Sequence, residues 1–203
     1  AIMALILAHL KNGDHIVAST GLFGATVQLF SNILARTGIT TTFVPQTDPA
    51  AWAAAIRPET KLFFLETPSN PLTEIADIRA LTATAHAKGI LVAVDNCFCT
   101  PILQRPLELG ADLVVHSATK FLDGQGRVLG GAVCGPKKLT EEIFKYLRTA
   151  GPTLSAFNAW VLLKGLETLA VRVQRQTDTA AIVAVALASH PKITRLIYPG
   201  RPD

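Results

Sequence analysis

The chain has 203 residues, 49% of them hydrophobic, enough for one large domain around a single core. Its net charge of +4 comes from scattered Lys and Arg, and Pro136-Lys137-Lys138 is too small a cluster to make an electrostatic footprint for nucleic acid. No apolar run reaches the ~18 residues of a membrane span, and residues 1–10 lack the basic leader and cleavage site of a secretory signal.

Helix and strand patterns alternate along the chain. Residues 1–11 are apolar with helical period, and Asn12-Gly13-Asp14 stops them. Residues 15–19 follow as a strand. Gly21-Leu22-Phe23-Gly24-Ala25-Thr26 is a glycine loop entering a helix that runs to about Arg36 and is closed by Gly38. Residues 40–44 are β-branched and extended, and Asp48 before Pro49 caps a further helix. Residues 61–66 form the next strand, which breaks into Thr67-Pro68-Ser69-Asn70-Pro71. The flanking prolines fix the backbone and aim Asn70. Residues 77–88 are helical, Gly89 ends them, and residues 90–94 make an apolar strand that finishes on Asp95.

The run Leu113-Val114-Val115 is apolar throughout, as expected of a strand buried on both faces, and it leads into His116-Ser117-Ala118-Thr119-Lys120. Asp123-Gly124-Gln125-Gly126 reads as a flexible turn, and residues 129–134 as a strand lined with glycine. Helices are expected over 137–149 and 156–189, the second bent or broken near Gly165, with a last strand over 193–197. The chain then runs into the turn Tyr198-Pro199-Gly200-Arg201-Pro202-Asp203, and both its ends look cut from a longer protein. There is no internal repeat or linker. The alternation predicts an α/β fold: a largely parallel, doubly wound sheet with helices on both faces.

Cys97, Cys99 and Cys134 make an odd count, which points to a reducing, cytoplasmic setting. Cys97 and Cys99 have no second pair or nearby His to complete a metal site, so they are read as small buried hydrophobes and no metal is expected.

In an open α/β sheet the ligand crevice lies past the carboxyl ends of the strands. Asn70, Asp95, Ser117, Thr119 and Lys120 all fall there, from three separate strands. Lys120 alone reads equally well as a solvated lysine opening the next helix. Together the residues describe more. A buried strand-end acid needs a partner, and Asp95 could pair with a protonated heteroaromatic nitrogen. Ser117 and Thr119 could donate to phosphate oxygens, Asn70 to a phenolate oxygen, and Phe23 could stack on a ring. A desolvated lysine is a nucleophile for carbonyl carbon. Those groups suit pyridoxal 5′-phosphate, whose ring is an electron sink.

Three motifs carry a resemblance to a known family: Glu66-Thr67-Pro68-Ser69-Asn70-Pro71, Val94-Asp95-Asn96 and Ser117-Ala118-Thr119-Lys120. With Gly13-Asp14-His15 and Tyr198-Pro199-Gly200, they resemble the Cys/Met-metabolism pyridoxal-phosphate enzymes over essentially the whole chain. That family includes cystathionine γ-synthase, cystathionine lyases, methionine γ-lyase and the homoserine sulfhydrylases. The resemblance implies that residues 1–203 are the cofactor-binding large domain of a fold type I enzyme. It also implies that a glycine-methionine phosphate turn, an N-terminal arm and a C-terminal domain with the substrate-carboxylate arginine lie outside the chain. Arg172 is not assigned that role.

By the same resemblance Lys120 matches the Schiff-base lysine, Asp95 the partner of the pyridinium nitrogen, Ser117 and Thr119 phosphate ligands, and Asn70 the partner of the ring hydroxyl oxygen. Phe23 stands where the lyases and cystathionine γ-synthase usually carry a stacking tyrosine, so assistance to the leaving group by a phenol is in doubt. Residues 22–24, 123–131 and 154–160 most resemble the O-succinylhomoserine sulfhydrylase branch. The implied reaction is γ-replacement for methionine biosynthesis: succinate leaves Cγ, sulfide adds, homocysteine forms, and Lys120 moves the protons. A homodimer or homotetramer is implied, with no nucleic-acid or membrane partner. Cystathionine γ-synthase or γ-lyase activity is the alternative within the family.

Three further alternatives stand beside this. Ser117-Ala118-Thr119-Lys120 fits the Ser-x-x-Lys motif of serine acyl-transfer enzymes, but their Ser-Asp-Asn and Lys-Thr-Gly companions are missing from the chain. Gly124, Gly126 and Gly130 have the wrong spacing for a dinucleotide loop. The third is a non-catalytic binding or assembly domain, which cofactor binding would separate from the rest.

Overall fold

The computed structural model describes residues 1–201. Its centre is a six-stranded sheet built from β1 (His15–Ser19), β2 (Thr40–Val44), β3 (Thr60–Glu66), β4 (Leu91–Asp95), β5 (Leu113–Ser117) and β6 (Gly131–Cys134). The spatial order is β2-β1-β3-β4-β5-β6, with the first five strands parallel and β6 antiparallel to β5. The interior strands are apolar on both faces, so each must be covered twice. Ile16, Ala18, Leu62, Phe64, Ala93, Leu113 and Val115 pack under α1 (Ile2–His9) and the later helix over Lys137–Ala150. Val17, Phe63, Leu65, Val92 and Val94 pack under the helices Pro49–Ala54 and Ile78–His86 on the other side. The expected α/β layers are therefore present.

In chain order, the helix after β1 begins as α2 (Gly24–Gln28), passes through a wide π turn (Leu29–Ile33) and tightens to a 3₁₀ turn (Leu34–Thr37) before Gly38 stops it at φ 78°. The expected single helix is thus one right-handed path of changing pitch, with Phe30 and Leu34 as its buried contacts. Asp48 caps α3 (Pro49–Ala54), accepting from the N–H groups of Ala50 and Ala51. Asp77 caps α4 (Ile78–His86) through Ala80 N–H. A short α5 (Thr100–Leu103) follows β4, and α6 (Lys137–Ala150) follows β6. The long C-terminal helical stretch is two helices, α7 (Ala156–Leu166) and α8 (Leu169–Ala188), broken just after Gly165 as expected.

Two expectations change, and one falls outside the described residues. Residues 193–197 are not a strand: they pair with no sheet edge, and Ile193 and Ile197 are exposed, so β-branched composition there has no partner to act on. The last two residues of the expected closing turn, Pro202 and Asp203, lie outside the described residues. The Asp123–Gly126 turn is tied rather than flexible. The buried Asp123 carboxylate pairs with Arg127 Nε at 2.8 Å and accepts from the Arg127 backbone N–H at 2.7 Å.

Candidate active site

The chain turns outward in opposite directions from β1, to β2 on one side and to β3 on the other. Past such a reversal, the carboxyl ends of the strands leave a crevice. Side chains two residues apart share a face, so Glu66, Asp95 and Ser117 continue the row of Phe64, Ala93 and Val115 and emerge together at the rim. Glu66 and Asp95 are direct register partners. The crevice there, of about 360 Å³, is lined by Phe23, Asn70, Asp95, Ser117 and Lys120, with Glu66 and Cys97 among its other walls. A second hollow of about 340 Å³ shares Asp95 and Ser117 and extends to Gly130 and Gly131. Five of the six residues named from the sequence therefore meet in one cleft.

Each is set there by local structure. Asn70 lies on a loop closed by Ser69, whose backbone N–H donates to Glu74 O and whose hydroxyl accepts from Glu74 N–H, both at 2.9 Å. Asn70 N–H in turn donates to Gly21 O at 3.0 Å, stitching that loop to the one carrying Phe23. Gly21 is required there, because a Cβ would lie 2.6 Å from the Cβ of Ser69. Phe23 is the N-cap residue of α2, with its ring half exposed. Lys120 sits in a run of tight turns, its N–H bonded to Ser117 O at 3.1 Å and its carbonyl to Gly124 N–H at 2.8 Å. No helix opens at Lys120. Its side chain is exposed, so these walls alone do not desolvate it as the chemistry of a neutral lysine requires.

Thr119 departs from expectation. It is not a cleft wall, and its hydroxyl accepts from Gly130 N–H at 3.0 Å while donating to Gly130 O at 3.2 Å. A hydroxyl has a single proton to give, and this one closes the loop between Lys120 and β6. Thr119 can serve a phosphate only by releasing that bond.

Electrostatics single out the acids. Asp95 is 8% exposed, and burial pushes its carboxyl up to about 6, against the opposing hydrogen bond from Cys97 N–H. Glu66, 4% exposed, is pushed up to about 7 by burial, tempered by the Phe23 N–H it accepts at 2.7 Å and raised further by Asp95. Burial also lifts the Cys97 thiol to about 11, which keeps it an uncharged and poor nucleophile. Glu66 was not singled out in the sequence, although Lys61-Leu62-Phe63-Phe64-Leu65-Glu66 ends on an acid just as Leu91-Val92-Ala93-Val94-Asp95 does.

Pyridoxal phosphate fits this set of donors. Two buried acids lie in the cleft with no side-chain cation in ion-pair contact among the described residues, a deficit that a ring cation would fill. The polar ends of Asn70, Ser117 and Lys120 make no side-chain hydrogen bond within the described chain, and a ring with an edge oxygen, a carbonyl carbon and a phosphate would engage them. The fold and cleft thus define a class: cofactor-dependent enzymes that hold pyridoxal phosphate at the carboxyl edge of a parallel sheet.

Comparison with known proteins narrows the class. The family model described as "Cys/Met metabolism PLP-dependent enzyme" matches residues 1–203, and the chain belongs to that family. It is 54% identical over 203 residues to an O-succinylhomoserine sulfhydrylase of Pseudomonas aeruginosa, covering 100% of this chain and 50% of that protein. It is 42% identical over 206 residues to an L-methionine gamma-lyase of Porphyromonas gingivalis, covering 100% of this chain and 52% of the relative. The crystal structure of a cystathionine gamma-lyase from Lactobacillus plantarum, complexed with L-serine, superposes with a TM-score of 0.96 at 40% identity, over 99% of this chain and 53% of that one. The chain thus spans about half the length of the relatives it matches.

Proposed function

We propose that this protein uses pyridoxal phosphate to exchange the Cγ substituent of O-succinylhomoserine for sulfide, giving homocysteine and succinate, and that residues 1–203 form its cofactor-binding large domain. The observation that carries the cofactor reading is the meeting of Phe23, Asn70, Asp95, Ser117 and Lys120 in one strand-end cleft. When bound, the cofactor supplies an electron sink for carbanions next to its ring. Lys120 is the covalent anchor and the proton carrier. Asp95 holds a negative charge toward the ring nitrogen, Asn70 donates to the ring oxygen, and Ser117 donates to phosphate, with Thr119 as the second hydroxyl on that turn. Phe23 covers a ring face without offering a phenol.

The preference for the sulfhydrylase branch rests on the 54% identity with the Pseudomonas aeruginosa enzyme. The 40% identity and 0.96 TM-score with a cystathionine gamma-lyase keep γ-lyase chemistry, and with it cystathionine γ-synthase chemistry, as the second reading. A cytoplasmic location and a homodimer or homotetramer belong to the same proposal. Among the described residues no helix is long and apolar enough to cross a membrane.

The test is an absorption spectrum of the full-length protein loaded with pyridoxal phosphate, followed by borohydride reduction and peptide mapping. A lysine-bound cofactor band with label on Lys120, lost in Lys120→Ala, is the expected result. Release of homocysteine from O-succinylhomoserine and sulfide then supports the branch, whereas 2-oxobutyrate release without it points to the lyase. Absence of any band in the full-length protein would leave a non-catalytic assembly role.

A further inference from the structure

The proposed roles leave one polar group of the cleft unused. Glu66 ends β3 opposite Asp95, so the two carboxyls stand as nearest neighbours on one face, both shut away from water. No side-chain cation lies at ion-pair distance from either among the described residues. Two adjacent carboxylates in such a place cannot both stay charged cheaply, so the pair keeps one proton.

Geometry decides what that proton does. Glu66 Oε2 accepts the Phe23 N–H at 2.7 Å, across the point where the strand order reverses. Phe23 is the cap of α2, its carbonyl already taken by Thr26 and Val27 N–H groups, and its half-exposed ring is a wall of the cleft. Among the described residues Asp95 accepts only the nearby Cys97 N–H, at 3.0 Å. A carboxylic acid keeps a carbonyl oxygen able to accept a backbone N–H, so protonation leaves the Phe23 anchor intact. Burial raises both carboxyls, and with Asp95 committed to the ring nitrogen the shared proton falls to Glu66.

Resting on the pyridoxal-phosphate reading, we propose that Glu66 is a positioning residue that keeps its proton near neutral pH. Asp95 then carries the single negative charge for the ring nitrogen, while the Glu66 carboxyl oxygen pins the backbone of Phe23 over the ring. This assigns different tasks to two acids in matching strand-end positions, with burial and hydrogen bonding deciding which is charged.

The experiment uses the full-length enzyme loaded with pyridoxal phosphate. Infrared difference spectra of wild type against Glu66→Gln, taken just below pH 7, report a protonated carboxyl directly. Cofactor affinity is measured in parallel for wild type, Glu66→Gln and Glu66→Ala. We expect a carboxylic-acid C=O band in wild type that Glu66→Gln lacks. We also expect Gln, a neutral acceptor of similar reach, to bind cofactor about tenfold tighter than Ala, which leaves the Phe23 N–H unpaired. A wild type without that band, or Gln no better than Ala, overturns the inference while the cofactor reading stands. Wild type that takes up no cofactor overturns both. Should Glu66→Ala fail to fold, the infrared comparison decides alone.

Discussion

Replacing Gly165 by alanine tests how the loop after Lys120 is held. Gly165 lies near the end of α7, and a Cβ there would stand 2.3 Å from Leu122 O, 2.8 Å from Asp123 O and 2.9 Å from Asp123 Cα. All three are backbone atoms, so no side chain can swing aside, and the loop must retreat from α7 by about 1 Å to restore ordinary contact. Arg172 clamps the same junction, donating to Phe121 O at 3.0 Å and to Gly165 O at 2.8 Å. Alanine would gain up to about 1 kcal/mol in helix propensity. Overpacking costs about 1–3 kcal/mol, and stretching the charged Arg172 bonds adds about 1 kcal/mol more. Overpacking wins, and Gly165→Ala should lose about 1–3 kcal/mol. Urea denaturation of the full-length protein without cofactor measures this. Gly24→Ala is the control, since Gly24 opens α2 with nothing within 4 Å of its Cβ position, and it should be neutral or stabilising. A Gly165→Ala protein as stable as wild type would refute the packing argument.

Thr119→Val should cost about 1–3 kcal/mol, because it strands the Gly130 N–H, while the Gly130 carbonyl keeps the Thr119 backbone N–H at 3.3 Å; Thr119→Ser should keep most of the stability. Unchanged stability with weakened cofactor affinity would instead make phosphate the main partner of Thr119. The acids give a pH dependence whose sign is fixed by burial. Glu66 and Asp95, pushed up to about 7 and about 6, hold protons more tightly folded than unfolded. Their contribution is therefore fully present below about pH 4 and is lost as pH rises to about 7, so the cofactor-free protein loses stability across that window. Denaturation midpoints across the window should fall with pH in wild type and less steeply in a Glu66→Gln/Asp95→Asn protein. Equal slopes would contradict the assignment.

How much of this could be read from residues alone depends on the range of the interaction. Asp48 caps its helix where the sequence puts the cap, because a cap is settled within three residues. Asn70, Asp95, Ser117 and Lys120 reach the rim because strand ends are local features and the crevice follows from topology. Glu66 carries no local signal of its place in the cleft, because its meaning depends on the β3–β4 register and on an N–H 43 residues away, which no local pattern encodes. Thr119 looked like a second phosphate hydroxyl because its partner Gly130 is brought back only by β6. Glycine at 124 and 126 suggested flexibility, yet Asp123 and Arg127 lock the turn from outside that dipeptide pattern. Residues 193–197 have the composition of a strand and lack an edge to join, which composition cannot reveal.

The division of labour proposed for the cleft accounts for relatives with different named activities sharing this half of the chain. In the proposed site the sheet end sets what is common: one acid for a ring cation, a lysine on a tight turn, a hydroxyl, an amide and an aromatic wall. Of these, only Phe23 carries a proposed role toward the substituent on Cγ. Lys120 is exposed and Phe23 half exposed, so the described residues build the floor and sides of the cleft and leave its mouth open. A lysine becomes a neutral base only when water is kept from it, so that desolvation has to come from whatever lies over the mouth. Under the proposed function, the choice between sulfide addition and elimination falls to the groups facing Phe23 from above, and Phe23 itself contributes by withholding the hydroxyl that a tyrosine would bring there.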